Sequence, residues 1–276
     1  MPNYRFDLVQ GSEEWLEARL GIPTASEFSN IVQPEFGNNY HCPACGQDDN
    51  HSRKKCAACG ALVEVVPIAK LSASYQPYLN LKLAEWMAGV PLDIFEDQPP
   101  IRGWRERGTL LEPEARRYYE MERDVETQKV GLVATEDGMA ACSPDFLAGN
   151  DIGGELKCPG LATHVGYMRN PASLLAEYRM QVQGGLWICA DRGAWDVMSY
   201  YPGFPAVIIR AEREQKVQDA LSIHIPAFVD AMLAARARLT ETYGELRRER
   251  VSAGQRVEAS RAAFDEFVNS PIGGVV

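Results

Sequence analysis

The sequence predicts an α+β domain built around a mixed sheet, and three observations carry that prediction. The chain of 276 residues is 46% hydrophobic and 24% charged, a globular composition long enough for one large domain. Its apolar spacing is helical at first, turns strand-like near residue 128 and becomes helical again near residue 173. The resulting order of helices, meander, helix, strand pair and helix suits a sheet flanked by helices.

Taken in order, Ser12 caps a short helix, Glu13 to Leu20, with Trp15 and Leu16 on its apolar side. Thr24 with Glu27 three residues on reads as a capping box opening a helix from Ala25 to Val32. Pro34, Gly37, Asn38 and Asn39 break that helix, and residues 40–66 read as an insert. Helical spacing resumes from Ser74 to Met87, stops near Gly89 and Pro91, and returns from Thr109 to Met121 through Leu110, Leu111, Ala115, Tyr118 and Tyr119.

Two strands follow, Gln128 to Ala134 and Met139 to Ala148, joined by the turn Glu136-Asp137-Gly138. The turn Gly149-Asn150-Asp151 leads into a third strand, Gly154 to Cys158, which Pro159-Gly160 ends. Ser173 to Ala190 is a helix with Leu175, Tyr178, Val182, Leu186 and Cys189 along one stripe. Strands Trp195 to Tyr201 and Ala206 to Glu212 precede a long helix, Glu214 to Tyr243, with a kink expected at Pro226. Beyond residue 243 apolar residues thin out, so 244–276 reads as a tail on a domain spanning 1–243.

The balance of 28 basic and 38 acidic residues gives a net charge of −10. That excludes a protein that coats nucleic acid through a broad positive face, though not an enzyme that confines its positive charge to a groove. No run of apolar residues approaches the roughly 20 that a bilayer span needs, so no membrane partner is expected. Met1 to Gln10 lacks the charged-then-apolar pattern of a signal peptide, so the expected compartment is cytoplasmic and reducing. The seven cysteines are then not a disulfide framework.

The sharpest chemical signal is Ser143-Pro144-Asp145 followed by Glu155-Leu156-Lys157. On a strand Glu155 and Lys157 share a face and Leu156 takes the other. A hairpin centred on Asn150 sets Asp145 opposite Glu155, with Cβ atoms about 5 Å apart. Gly153-Gly154 would admit a bulge that shifts this register by one. Carboxylates so close repel unless a cation joins them, and oxygen-only ligands suit Mg²⁺ or Mn²⁺. Lys157 on the same face would orient water or stabilise charge developing on a phosphate, so the expected chemistry is phosphodiester hydrolysis. Glu112, on the preceding helix, is placed to add a carboxylate, although alone it reads as a helix-surface acid.

Cys42-Pro-Ala-Cys45-Gly and Cys56-Ala-Ala-Cys59-Gly form two knuckles that suit tetrahedral Zn²⁺. Four protein ligands leave no open position, so this zinc is structural, and the flanking His41 and His51 are surplus to it. Arg53-Lys54-Lys55 between the knuckles fits a contact with DNA backbone, a subunit contact or a solvated loop. Arg102, Trp104, Arg105 and Arg107 form a basic, aromatic stretch that fits phosphate contact or a solvated helix edge.

Together these motifs resemble the lambda-type exonucleases, or YqaJ-like viral recombinases, of the PD-(D/E)xK nuclease superfamily. The matching stretches, in the family's order, are Gln10 to Ser26, Gly108 to Ala115, Ala141 to Asp145, Glu155 to Pro159 and Gln181 to Gln183. The resemblance implies a PD-(D/E)xK core whose magnesium is held by Asp145, Glu155, the Leu156 carbonyl and Glu112. It implies that Lys157 is the catalytic lysine, that Gln183 lies near the site, and that Arg19 and Ser26 hold the 5′-terminal phosphate of DNA. It further implies 5′-to-3′ digestion of one strand from a duplex end, leaving a 3′ overhang. A homotrimeric ring and a single-strand annealing partner in recombination also follow from it, in the host cytoplasm if the chain is phage-encoded. Phe146 departs from the family, which often has Gly after the motif aspartate, and the zinc ribbon is foreign to the typical core. Two other readings stay open: an endonuclease of the same superfamily, and a non-catalytic zinc-containing DNA-binding protein.

Overall fold

The computed structural model describes residues 1–49, 54–92 and 99–245. His51, Arg53, residues 246–276 of the tail, and the side chains of Arg102, Trp104 and Arg105 lie outside the described residues. In chain order the elements are β1 (Asn3–Arg5), α1 (Glu13–Ala18), a 3₁₀ helix (Ala25–Asn30), β2 (Val32–His41), β3 (Asp48–Asp49) and β4 (Glu64–Leu71). Next come α2 (Tyr75–Ala88), α3 (Pro99–Arg123), β5 (Thr127–Gln128), β6 (Leu132–Ala134), β7 (Ala141–Cys142), β8 (Phe146–Ala148) and β9 (Ile152–Lys157). The chain continues through α4 (Leu161–Arg169), α5 (Pro171–Ile188), β10 (Ala194–Ser199), β11 (Val207–Glu212) and α6 (Gln215–Tyr243).

The central sheet has the order β11-β10-β9-β8-β5 and is mixed, as expected. β9 and β10 are parallel, since α4 and α5 carry the chain back across the sheet, and the other neighbours are antiparallel. Alternation along β10 gives each face its own layer. Trp195 and Val197 pack with Leu174, Val182 and Leu186 of α5 and with Phe228 of α6. Met198 packs on the opposite side with Ala115 and Tyr119 of α3, Phe146 and Leu156.

The meander differs from the expectation of two unbroken strands. β5 pairs with β8 in the central sheet, whereas β6 pairs with β1 and β7 in a separate three-stranded sheet. The chain therefore changes sheets twice, at 129–131 and at Ser143-Pro144-Asp145. Pro144 has no N–H to give a ladder. At Gly131 the backbone presses so closely on Leu8 that a Cβ would sit 2.2 Å from the Leu8 carbonyl oxygen.

The capping box is also corrected. Thr24 is extended before a 3₁₀ helix, and its hydroxyl donates to the Glu27 carboxylate (2.8 Å) instead of capping a backbone N–H. The insert is held by longer arms than expected, since β2 and β4 pair from Val32↔Leu71 out to His41↔Glu64. By length and composition α6 could cross a bilayer, contrary to the expectation from apolar runs, but Leu221, Ile225, Phe228 and Met232 are buried in the core.

Candidate active site and cysteine ribbon

The β8–β9 hairpin pairs Phe146↔Gly154, Leu147↔Gly153 and Ala148↔Ile152 around the left-handed Gly149 (φ 53°). The Asp145 N–H donates to the Gly154 carbonyl (2.9 Å), one residue out of step with the Phe146↔Gly154 pair, so the regular ladder ends at Phe146 and a one-residue offset sets Asp145 beside Glu155 and Leu156. The one-residue shift that the sequence admitted thus falls at Asp145–Phe146, opposite Gly154. The adjacent glycines serve packing: a Cβ on Gly153 would lie 2.4 Å from the Trp195 ring, and one on Gly154 would lie 2.0 Å from the Phe146 ring. Phe146 is fully buried against Tyr119 (ring centroids 4.2 Å apart), on the face away from the acids.

Asp145 Oδ2 accepts the Leu156 N–H (2.6 Å). Glu155 Oε2 accepts from Gln181 Nε2 (2.7 Å) and Lys157 Nζ (3.1 Å), and Lys157 also donates to Gln181 Oε1 (3.1 Å). The ammonium lies 4.6 Å above the Tyr178 ring. Burial first, and then the Glu155 charge, push the Asp145 carboxyl up from 3.8 to about 8. Burial raises Glu155 as well, against the pull of Lys157. Burial works to lower Lys157, but Glu155 and Asp145 outweigh it and hold the ammonium above its ordinary value. Two crowded carboxyls reluctant to ionise, flanked by one cation, are a donor set that fits a hard divalent ion such as Mg²⁺ or Mn²⁺.

Arg19, Ser26, Glu112, Asp145, Glu155, Leu156 and Lys157 all line one pocket of about 260 Å³. Segment 10–26 reaches it by lying along the small sheet. Thr24 bridges Ala141 in parallel, and the Ala141 N–H donates to the Pro23 carbonyl (3.1 Å). Trp15 Nε1 donates to the Gly131 carbonyl (2.7 Å) and lies 3.1 Å from Ser143 Oγ, while Gln10 donates to the Val130 and Pro144 carbonyls. Arg19 stacks on the Trp15 ring (4.1 Å) and donates to Thr24 Oγ1 (3.3 Å). Glu112 is held by Arg116 (2.9 Å) and, more loosely, by Lys129 (3.6 Å). Its helix α3 is fastened to the sheet by the Tyr119 hydroxyl on the fully buried Asp196 (2.9 Å), which Arg210 neutralises.

Gln183 is not at the site. It is 1% exposed, and its amide is occupied by the Glu212 carbonyl, the Glu214 N–H and Gln218. Gln181, two positions earlier and so on the other side of α5, is the glutamine in the pocket. Its signal in the sequence was the spacing of three from Tyr178, which puts both on one helix face. The expectation for Arg107 resolves as packing: it donates to the carbonyls of Cys158 and Pro159 (both 2.8 Å). His164, on the helix after β9, is fully buried between Ser199 and the Pro205 carbonyl.

The two knuckles are built alike. The Gly46 and Gly60 amides donate to Cys42 and Cys56 carbonyls (2.8 and 2.9 Å), with φ of 72° and 75° that favour glycine. The four Sγ atoms lie within 4.8 Å of one another, with Cys42–Cys59 at 3.4 Å and Cys45–Cys56 at 3.6 Å. Zn–S bonds of about 2.3 Å in a tetrahedron require sulfurs about 3.8 Å apart, so this set fits one zinc ion. N–H groups of Cys59 and Ala58 lower the Cys56 thiol to about 7, whereas Cys45 and Cys59, despite the Gln47 and Ala61 N–H groups, are raised by their sulfur neighbours, so a cation is needed to hold all four as thiolates.

Residues 14–192, more than half of the chain, match the YqaJ-like viral recombinase domain. The chain belongs to this family. No curated protein matches it. Among solved structures, this YqaJ-like chain is similar to the alkaline exonuclease LHK-Exo of Laribacter hongkongensis, at 24% identity over 91% of this chain and 100% of the other, with a TM-score of 0.58. LHK-Exo in complex with dAMP is similar at 24% identity over 85% of this chain and 100% of that one, with a TM-score of 0.62. A phage-related exonuclease from Haemophilus somnus 129PT is similar at 12% identity over 62% of this chain and 86% of that one, with a TM-score of 0.50. These likenesses show the fold. With the family and the acidic pocket, they point to a nuclease.

Proposed function

We propose that this YqaJ-like protein is a divalent-metal-dependent exodeoxyribonuclease that digests one strand of duplex DNA from its 5′ end and leaves a 3′ overhang. The observation that carries the reading is that Asp145 and Glu155 line one pocket with Lys157, Arg19 and Ser26. Asp145, Glu155, the Leu156 carbonyl and Glu112 would hold Mg²⁺ or Mn²⁺. The bound ion would supply a more acidic water and polarise a phosphoryl oxygen. Lys157, kept charged by Glu155 and steadied by Gln181, stabilises negative charge developing on the phosphate. Arg19 and Ser26 receive the terminal phosphate, the guanidinium through its forked donors.

A structural Zn²⁺ on Cys42, Cys45, Cys56 and Cys59 completes the cofactor set. A homotrimer, a single-strand annealing partner and a cytoplasmic setting belong to the same reading. The test is a time course on linear duplex DNA labelled separately at each end, with Mg²⁺ or chelator, beside covalently closed duplex. Metal-dependent release of nucleotides from 5′ ends alone is expected. Cutting of the closed form would replace the reading with an endonuclease, and binding without hydrolysis would leave a non-catalytic DNA-binding protein.

A further inference from the structure

Behind the pocket lies a cation that touches none of its contents. Lys82 of α2 is 4% exposed, and its ammonium is 3.1 Å from the carboxylates of both Glu27 and Glu85. A buried ammonium is costly unless paired, and here two carboxylates pair it. Glu27 Oε2 also accepts the Thr24 hydroxyl (2.8 Å) and the Tyr78 hydroxyl (3.0 Å). Thr24 Oγ1 in turn accepts from Arg19 Nη2 and lies 3.3 Å from Ser26 Oγ. A continuous path therefore runs from Lys82 through Glu27 and Thr24 to both residues assigned to the terminal phosphate.

We propose that Lys82 is a positioning residue for 5′-phosphate recognition: it neutralises Glu27 and Glu85, so that Arg19 keeps its charge for the DNA end. The inference rests on the phosphate-end reading of the pocket. Among the described residues no carboxylate is within ion-pairing distance of Arg19, which is held instead by the Trp15 ring and a neutral hydroxyl. Burial lowers the Arg19 guanidinium, and the nearby charges of Glu27 and Glu85 act on it in the opposite direction. Without Lys82, Glu27 has, among the described residues, only the Thr24 and Tyr78 hydroxyls as donors, and Arg19, one hydroxyl away, becomes its counter-ion. The guanidinium is then drawn from the pocket and its charge cancelled.

The experiment compares cleavage of duplexes bearing 5′-phosphate and 5′-hydroxyl ends by the full chain and its variants, with melting curves to check folding. Wild type is expected to prefer the phosphate. Arg19→Ala and Lys82→Met should each lower that preference about tenfold or more, since each removes one side of a charge arrangement. Adding Glu27→Gln to Lys82→Met removes the stranded charge that neighbours Thr24 and Arg19, leaving Glu85 on the Gly21 and Leu92 N–H groups, and should restore most of the preference, which a merely structural role would not do. If Lys82→Met does not fold, Glu27→Gln alone decides, because Arg19 then loses only an opposing charge and the preference should hold or rise. A wild type indifferent to the phosphate sinks the pocket reading and this inference with it. A preference that Arg19→Ala abolishes and Lys82→Met leaves intact, or a double variant no better than the single, overturns the inference alone.

Discussion

The Phe146 ring occupies the space where Gly154 would carry a side chain, with its nearest atom 2.0 Å from that Cβ position. Phe146 and Gly154 are directly paired across the hairpin, and each is next in sequence to one of the acids. The aromatic residue after the motif aspartate is thus accommodated by a glycine on the partner strand, leaving the acidic face undisturbed.

Gly154→Ala should overpack this contact, because Phe146 is fully buried and has no room to retreat. A loss of about 1–3 kcal/mol is expected, read as a lower melting temperature, with a fall in nuclease activity as Asp145 shifts. Adding Phe146→Leu should recover part of the stability. A Gly154→Ala protein as stable and active as wild type would refute the fit.

The two glutamines of α5 should separate cleanly. Gln181→Ala leaves Lys157 and Glu155 without their shared partner, so turnover should fall while melting is little changed. Gln183→Ala takes one acceptor from the buried Gln218 amide, which keeps the Gln183 backbone carbonyl, and the acceptor from the half-buried Glu214 N–H, so it should cost about 1–3 kcal/mol of stability. Lys157→Ala sets the lower limit, with cleavage abolished in a folded protein. The opposite pattern for the two glutamines would return Gln183 to the site.

Stability of the metal-free protein should depend on pH through the acid pair. Asp145 is raised from 3.8 to about 8, so the folded state binds a proton that the unfolded state has released between those values. Its contribution is therefore fully present below about pH 4 and is lost as pH rises toward 8. Glu155 acts in the same direction. Denaturant titrations in chelator at pH 5 and pH 8 should show wild type losing more stability than Asp145→Asn, and Mg²⁺ should restore more of it at pH 8. Parallel losses in the two proteins would count against the raised carboxyl.

Zinc should be bound at one ion per chain and lost on Cys56→Ser, as measured by elemental analysis. Among the described ribbon residues 41–64 only Cys42 and Cys56 are buried, so chelation should expose the knuckles to protease while the buried sheet β11-β10-β9-β8-β5 stays resistant. Full protection of the ribbon without metal would show that its stability comes from elsewhere.

Local chemistry was readable from the sequence where one rule governed it. The turn at Gly149 brought Asp145 and Glu155 to one end of a hairpin, with the one-residue offset that Gly153-Gly154 admits, and the Cys-x-x-Cys-Gly repeats gave the ribbon. Readings failed where tertiary contacts chose between equal local options. Gln181 and Gln183 lie in the same apolar helix, and only the positions of β9 and α6 decide which faces the acids. Thr24 and Glu27 have capping-box spacing, but the buried Lys82 draws Glu27 away from the backbone. Met139 to Ala148 alternates well enough for one strand, yet Pro144 divides it between two sheets. The ribbon's arms were obscured by Pro34, Gly37 and two asparagines, residues that disfavour strands, within a ladder that forms nonetheless.

The pairing of Val32 with Leu71 at the foot of that ladder makes the zinc-bearing stretch a detachable cassette. Its entry and exit lie side by side, about 5 Å apart as antiparallel neighbours must be. A tight turn could rejoin them after excision, and neither β8 nor β9 would be asked to move. Evolution could therefore splice such a module in or out, and engineers could exchange it for another, without rebuilding the blade that does the cutting.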